Sequence, residues 1–273
     1  MTEPRLGIAR SLWWWWWFVT WTIVYGLLAL PLLLLAAPFA PVRHAAARAA
    51  NRLWARVVMR VAFGPRYFAV AGLDRLPPAD APHVVVANHQ SLIDVLVTHC
   101  LPRPLSWVVK QSVFSVPIFG FFMWAEGNLG LRVGDAESGA ALRRRAAAAL
   151  RSGTWVLVYP EGTRTPDGEV HRFRRGAFEI AREAGVGIVP IAIEGSGRVL
   201  PKHGWRGGST RWPQPVSVEV LEPVGAAEVA AADPAELSAR IRARIIEAVH
   251  GARHRHDGPD AAPPARDGAA RAA

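Results

Sequence analysis

Cysteine is nearly absent from this sequence, with Cys100 the only one in 273 residues. That excludes an intrachain disulfide and a cysteine-rich metal site, and it suits a reducing, cytosolic setting. As a lone thiol, Cys100 reads as buried and structural. Lysine is almost as scarce, occurring only at Lys110 and Lys202, so the net charge of +10 is carried by arginine. A basic surface gathers near anionic phospholipid headgroups or nucleic acid. No nucleic-acid-binding motif and no basic stretch interleaved with base-stacking aromatics is present, which favours membrane over nucleic acid. No internal repeat is visible.

Charge is missing altogether from Ser11 to Val42. One straight helix over that stretch would measure about 48 Å, against a hydrocarbon core of roughly 30 Å, and Pro31 offers a place to bend. A tilted single span and a re-entrant helical hairpin both fit. The run from Trp13 to Trp17 reads as an interfacial anchor, with Arg5 and Arg10 just outside it. The stretch is far longer than the apolar part of a cleaved signal peptide. Arg48, Arg52, Arg56 and Arg60 then recur at every fourth residue and form a slanting stripe on a helix, expected to lie on anionic lipid or else to be a solvated face packed on the domain. By the positive-inside rule, these arginines place the rest of the chain on the cytoplasmic side of the membrane.

Hydrophobic residues make up 51% of the chain, yet charged ones still reach 20%, a balance that suits a folded domain with a membrane attachment. Short β-branched runs at His83–Ala87, Leu105–Val109, Thr154–Tyr159, Gly187–Ile193 and Val216–Leu221 predict strands. Helical periodicity covers Glu137–Arg151, Phe173–Glu183 and Pro234–Val249. The alternation predicts an α/β sandwich. Three regions follow: a membrane anchor with a basic amphipathic helix over 1–63, a catalytic domain over 64–250, and a disordered Ala-, Gly-, Pro- and Arg-rich tail over 251–273.

Two segments carry chemistry. Val84-Val85-Val86-Ala87-Asn88-His89-Gln90-Ser91-Leu92-Ile93-Asp94 leaves an apolar strand, turns, and enters a helix, so His89 falls at a strand end. A neutral imidazole takes a proton from an alcohol, and a carboxylate that fixes its tautomer makes it a better base. Asp94 stands where it can fold back to do this, although Ser91 and Asp94 also spell a capping box. Val156-Leu157-Val158-Tyr159-Pro160-Glu161-Gly162-Thr163-Arg164 again runs from strand to turn. Gly162 permits an unusual backbone angle and the Arg164 fork suits phosphate. Arg174 and Arg175 follow at a helix start, where anions are welcome. Together these suggest an anion site; the plainer alternative is a surface loop in which Glu161 and Arg164 pair with each other.

From roughly Phe68 to Leu221 the chain resembles the 1-acylglycerol-3-phosphate acyltransferases and related glycerophospholipid acyltransferases. The resemblance rests on Asn88-His89-Gln90-Ser91-Leu92-Ile93-Asp94; on Gly127-Asn128-Leu129-Gly130-Leu131-Arg132, preceded by Lys110, Pro117 and Gly120; on Tyr159-Pro160-Glu161-Gly162-Thr163-Arg164; and on Val189-Pro190-Ile191-Ala192-Ile193, in that order. It implies a glycerophospholipid-acyltransferase-like α/β sandwich in which His89 takes the acceptor's hydroxyl proton and Asp94 orients His89. It implies that Glu161, Gly162, Thr163 and Arg164, with Lys110 and Arg132, hold the glycerol phosphate, and that Pro190 shapes the acyl or acceptor pocket. The implied partners are the bilayer, a lysophospholipid acceptor, and acyl-CoA or acyl carrier protein as co-substrate; no metal or other cofactor is required. Leu131 stands where the family usually has an acidic residue, and Tyr159 where Phe is commoner. Relatives acylate several lysolipids, including lyso-ornithine lipids, so another acceptor is an alternative.

A lipid hydrolase with Ser91 as nucleophile is a different enzymatic reading, but no Gly-x-Ser-x-Gly elbow surrounds Ser91. A purely membrane-binding or scaffolding protein would leave the ordered blocks without a purpose.

Overall fold

The computed structural model describes residues 6–63, 67–202 and 214–257. Its strands are β1 (Phe68–Ala71), β2 (Val84–Ala87), β3 (Leu105–Lys110), β4 (Leu129–Leu131), β5 (Trp155–Val158), β6 (Ile188–Glu194) and β7 (Val216–Val220). They form one sheet in the order β1-β7-β6-β2-β5-β3-β4. The block from β6 through β4 is parallel, while β7 runs antiparallel to β6 and β1 joins β7 in parallel. Every residue of β2 and β6 is buried, as the unbroken apolar run of a central parallel strand requires.

The helices are α1 (Leu6–Leu35), α2 (Ala40–Ala62), α3 (Ile93–His99), α4 (Phe119–Ala125), α5 (Ala136–Arg151), α6 (Gly176–Ala184), α7 (Ser196–Val199), α8 (Ala226–Ala231) and α9 (Pro234–Asp257). On one sheet face Val84, Val86 and Ile188 meet Leu142 and Leu150 of α5, Phe178 of α6, and Leu237, Ile241 and Ile245 of α9. On the other, Val85, Ala87 and Ile191 meet Val58 and Met59 of α2 and Ile93 and Val97 of α3. The result is the expected α/β sandwich, its two cores separated by the strand alternation.

Two expectations are corrected. The chain does not bend at Pro31, which lies inside the 30-residue α1. It turns at 36–39 instead, where Arg43 donates to the Ala37 carbonyl and stacks on Trp124 at 3.9 Å. α2 then folds back along α1, with Tyr25 stacked on Trp54 and bonded to Asn51. The Trp16–Leu35 part of α1, with mean hydropathy 2.1, is long and apolar enough to cross a membrane and is mostly unburied.

Two members of the arginine stripe of α2, Arg48 and Arg52, turn inward rather than toward lipid, while Arg60 stays exposed. Arg48 donates to Thr154 Oγ1 at 3.2 Å and Ser106 Oγ at 3.0 Å, and Arg52 donates to the Arg103 carbonyl at 2.8 Å. Fully buried Glu126 lies close enough to both to favour their charged forms. Polar groups beneath the helix draw the guanidiniums inward, because leaving those groups dry and unpaired costs more than turning an arginine. The outward face of α2 is mostly apolar, carrying Val42, Ala46, Ala49, Leu53 and Val61, with Arg60 exposed beside them.

The tail expectation also shifts. α9 continues past Gly251 to Asp257, held by Arg253 on Glu169, on Glu194 at 3.3 Å and on the Gly168 carbonyl at 2.7 Å. The rest of the tail, 258–273, lies outside the described residues, as do Arg5 and the start of the anchor.

Candidate active site

Because β2, β3, β4, β5 and β6 run in parallel, their carboxyl ends open on one edge of the sheet. That edge gathers His89 after β2, Lys110 at the end of β3, Arg132 after β4 and the Tyr159–Arg164 loop after β5. The turn that carries His89 is pinned from the sheet side. Asn88 donates to the Ile193 carbonyl and accepts the Ile193 N–H, both at 2.8 Å.

His89 Nδ1 lies 2.8 Å from Asp94 Oδ2. The same oxygen accepts the N–H groups of Gln90 at 2.7 Å and Ser91 at 2.8 Å. Asp94 is fully buried while His89 keeps some exposure. An ionised Asp94 only accepts, so Nδ1 carries the hydrogen and Nε2 is left with its lone pair. Among the described residues nothing bonds Nε2, so that nitrogen is available to a hydroxyl.

The loop after β5 grips His89 by its backbone. Glu161 Oε1 accepts the His89 N–H at 3.0 Å, and the Thr165 N–H donates to the His89 carbonyl at 2.9 Å. Glu161 was expected to bind substrate, yet its carboxylate faces the base's own peptide. It does not pair with Arg164 among the described residues. Burial pushes the Glu161 carboxyl up to about 8, against a smaller opposing pull from the His89 N–H. Tyr159 lies flat against His89, the ring centres 4.1 Å apart and the planes 15° from parallel.

Five of the expected substrate residues line one cavity of about 400 Å³: Lys110, Arg132, Gly162, Thr163 and Arg174, with Leu131 beside them. Gly162 has φ +71°, and a Cβ there would stand 3.0 Å from Arg174 Nε, so a glycine lets the guanidinium lie over the loop. Lys202 Nζ donates to Thr163 Oγ1 at 3.2 Å, bringing another cation that no motif announced. The acidic partner missing at Leu131 is supplied from the other side of Arg132, since Asp135 Oδ2 accepts from Arg132 Nε at 2.9 Å while its Oδ1 caps α5 by accepting the Ser138 N–H at 2.9 Å.

Other expected residues do not converge. Arg175 turns away to pair with Glu179 at 3.0 Å, because α6 begins at Gly176 rather than at Phe173. Arg164 lines none of the described cavities. Pro190 is buried in β6 opposite Val86 and is part of the sheet rather than a cavity wall. The Ser91 hydroxyl is fully buried, donating to the Leu200 carbonyl at 2.8 Å and accepting the Ile93 N–H at 3.1 Å, which leaves it no role as a nucleophile. A second cavity of about 550 Å³ shares Gln111 with the first and is walled by Phe114, Val116, Ile118, Phe121 and Trp124. Ile118 there has φ 63°, a strained angle for a β-branched side chain.

The acyltransferase family model matches residues 68–194, from β1 to the end of β6. A 1-acyl-sn-glycerol-3-phosphate acyltransferase of Pseudomonas aeruginosa is 33% identical over 77% of this chain and 80% of its own length. A chloroplastic 1-acyl-sn-glycerol-3-phosphate acyltransferase of Arabidopsis thaliana is 34% identical over 67% of this chain and 49% of its own. The chain thus spans about half the length of the plant and algal relatives it matches. In fold it is similar to the crystal structure of the 1-acyl-sn-glycerophosphate acyltransferase PlsC of Thermotoga maritima, with a TM-score of 0.75 and 24% identity over 92% of this chain and 99% of that one.

Proposed function

Because this chain belongs to the acyltransferase family, we propose that it moves a fatty acyl group from a thioester carrier to the free hydroxyl of 1-acyl-sn-glycerol-3-phosphate, giving phosphatidic acid. The observation that carries this reading is the union of two features on one loop. Glu161 and Thr165 hold the backbone of an imidazole whose Nε2 is free, and between them Gly162 and Thr163 line a cavity faced by Lys110, Arg132 and Arg174.

The geometry supports a direct transfer. The acceptor's phosphate enters the cationic cavity, where guanidinium forks and an ammonium offset its charge. Its hydroxyl then lies against His89 Nε2, which takes the proton as the oxygen attacks the thioester carbonyl. Asp94 holds the tautomer and balances the imidazolium that forms. The tetrahedral adduct collapses, the C–S bond breaks, and the leaving thiolate takes the proton back. General-base help is worth about 10²- to 10⁴-fold, so the remaining acceleration comes from holding acceptor and donor together. The neighbouring cavity, of mixed lining, offers an acyl chain its Phe114, Val116, Ile118, Phe121 and Trp124 wall. The apolar α1 and the outward face of α2 hold the site at the membrane, where the acceptor resides. On our reading the catalytic domain lies on the cytoplasmic side, and coenzyme A or acyl carrier protein delivers the acyl group.

The test offers membrane-embedded protein a panel of lysolipids with acyl-CoA or acyl carrier protein and identifies the product by mass. Phosphatidic acid from lysophosphatidate is the expected product. Transfer to acceptors lacking a phosphomonoester, with none to lysophosphatidate, would overturn the reading.

A further inference from the structure

Three sides of His89 are now defined: Asp94 on its Nδ1 edge, Glu161 on its backbone, and a free Nε2. The fourth is Tyr159, whose ring lies parallel to the imidazole at 4.1 Å. A hydrophobic wall would need only volume. Tyr159 is held more closely than that.

Its hydroxyl lies 3.3 Å from Thr98 Oγ1. Thr98 has one hydroxyl hydrogen, and the Asp94 carbonyl accepts it at 2.8 Å. The two lone pairs of Thr98 are then left for donors, the indole N–H of Trp107 at 3.2 Å and the Tyr159 hydroxyl. Tyr159 is therefore anchored to α3, the helix that carries Asp94, and its ring and the carboxylate are fixed in one frame around the imidazole. Burial holds the hydroxyl well above its usual titration range, so it stays neutral and remains the donor.

We propose that Tyr159 is a positioning residue for the base, its aromatic face stabilising the imidazolium that His89 becomes when it takes the acceptor's proton. This rests on His89 acting as the general base. The physical ground is the ring quadrupole: an aromatic face is negative, and a cation stacked over it is attracted more strongly than the neutral imidazole. The stabilisation therefore grows as the proton moves from the acceptor oxygen to Nε2, and it vanishes when the leaving thiolate takes that proton. The titratable groups already against the imidazole, Asp94 from α3 and Glu161 from the loop after β5, act at its edge and backbone, whereas Tyr159 acts on its face.

The test compares full-length Tyr159→Phe, which keeps the aromatic face, with Tyr159→Leu, which keeps bulk alone. Incorporated pentafluorophenylalanine at 159 keeps the shape and reverses the quadrupole. Tyr159→Leu and the pentafluoro variant are expected to lower kcat by about 3- to 30-fold relative to Tyr159→Phe, with KM for lysophosphatidate held. Titration of the His89 imidazole by NMR should show its pKa lower in both and restored in Tyr159→Phe. Equal kcat and equal titration in the pentafluoro and Phe proteins would overturn the proposal, and this pair decides even if Tyr159→Leu does not fold. A wild-type protein that transfers no acyl group would overturn the function instead, while the titration would still decide for or against the stack.

Discussion

His89 and Asp94 meet through a single carboxylate oxygen. Oδ2 of Asp94 lies against His89 Nδ1 and also closes the turn by accepting the Gln90 and Ser91 N–H groups. The other oxygen, Oδ1, is buried and takes no hydrogen bond from the described residues. Dyad and cap are therefore one contact rather than a division of labour between two oxygens. Whatever fixes the first turn of α3 also fixes the tautomer of the base.

Asp94→Asn separates charge from geometry, since an amide oxygen can keep all three hydrogen bonds while the negative charge is lost. We expect kcat to fall about 10²-fold or more, with the fold retained. Asp94→Ala removes the acceptor from two buried N–H groups and should also cost about 2 to 5 kcal/mol in urea unfolding. An Asn variant with wild-type kcat would show that Asp94 is a cap and nothing more.

The cationic cavity should control acceptor affinity more than turnover. Arg174→Gln is expected to raise KM for lysophosphatidate by about 10- to 100-fold, as losing a charge-assisted bond to phosphate would, with a small change in KM for the acyl donor. Gly162→Ala should raise the same KM, because its Cβ would push Arg174 off the loop and its φ of +71° is strained for alanine. Steady-state kinetics with each substrate varied in turn checks both. An equal rise in both KM values would mean that the cavity does not hold the acceptor.

The chemistry of this site was more legible in the sequence than its surroundings. The strand-to-turn blocks around His89 and Gly162 were readable because buried parallel strands leave continuous apolar runs and their loops need particular residues. Strands β1 and β4 escape the sequence reading because they are the two edge strands, short and only partly buried, without the unbroken buried apolar run of the equally short β2. The direction of the α2 arginines was misread for a different reason. Periodicity shows that Arg48, Arg52, Arg56 and Arg60 share a face but not what lies opposite. Here Ser106, Thr154 and Glu126 come from distant strands and turns. Lys202 and the Glu161 clamp on His89 are likewise products of tertiary proximity, with no local pattern to betray them.

That inward arginine face has its own consequence. Arg48→Leu leaves Ser106 and Thr154 without their donor and Glu126 with Arg52 as its remaining nearby arginine, so unfolding should become about 1 to 3 kcal/mol easier. Binding to anionic vesicles should change little, because the Arg48 guanidinium points at Thr154 and Ser106 rather than outward. Leu53→Asp, on that exposed face, should weaken vesicle binding with little loss of stability. Sedimentation with vesicles and denaturant melts distinguish the two. A large loss of vesicle binding in Arg48→Leu alone would return the stripe to the lipid side.

Glu161 gives the protein a pH dependence of known sign. Its folded carboxyl titrates at about 8 against an ordinary 4.5, so between those values the folded state holds more of this proton than the unfolded state does. The Glu161 contribution to stability should therefore fall as pH rises from 5 to 8, opposed by His44, His83 and His256, which burial holds below the ordinary imidazole range. Other described carboxyls with resolved shifts, such as Asp135, Asp167, Glu169 and Asp257, are lowered and titrate below this window. Glu161→Gln keeps an oxygen for the His89 N–H and removes the titration. Urea midpoints measured across the range should show the variant gaining on the wild type by about 2 to 4 kcal/mol between pH 5 and 8. Parallel curves would mean that Glu161 ionises normally and that its hold on His89 is that of an ordinary carboxylate. Glu161→Ala, which offers no acceptor at all, should lose stability at every pH and lower kcat, because the turn that presents His89 then loses its side-chain tie to Glu161 on the loop after β5.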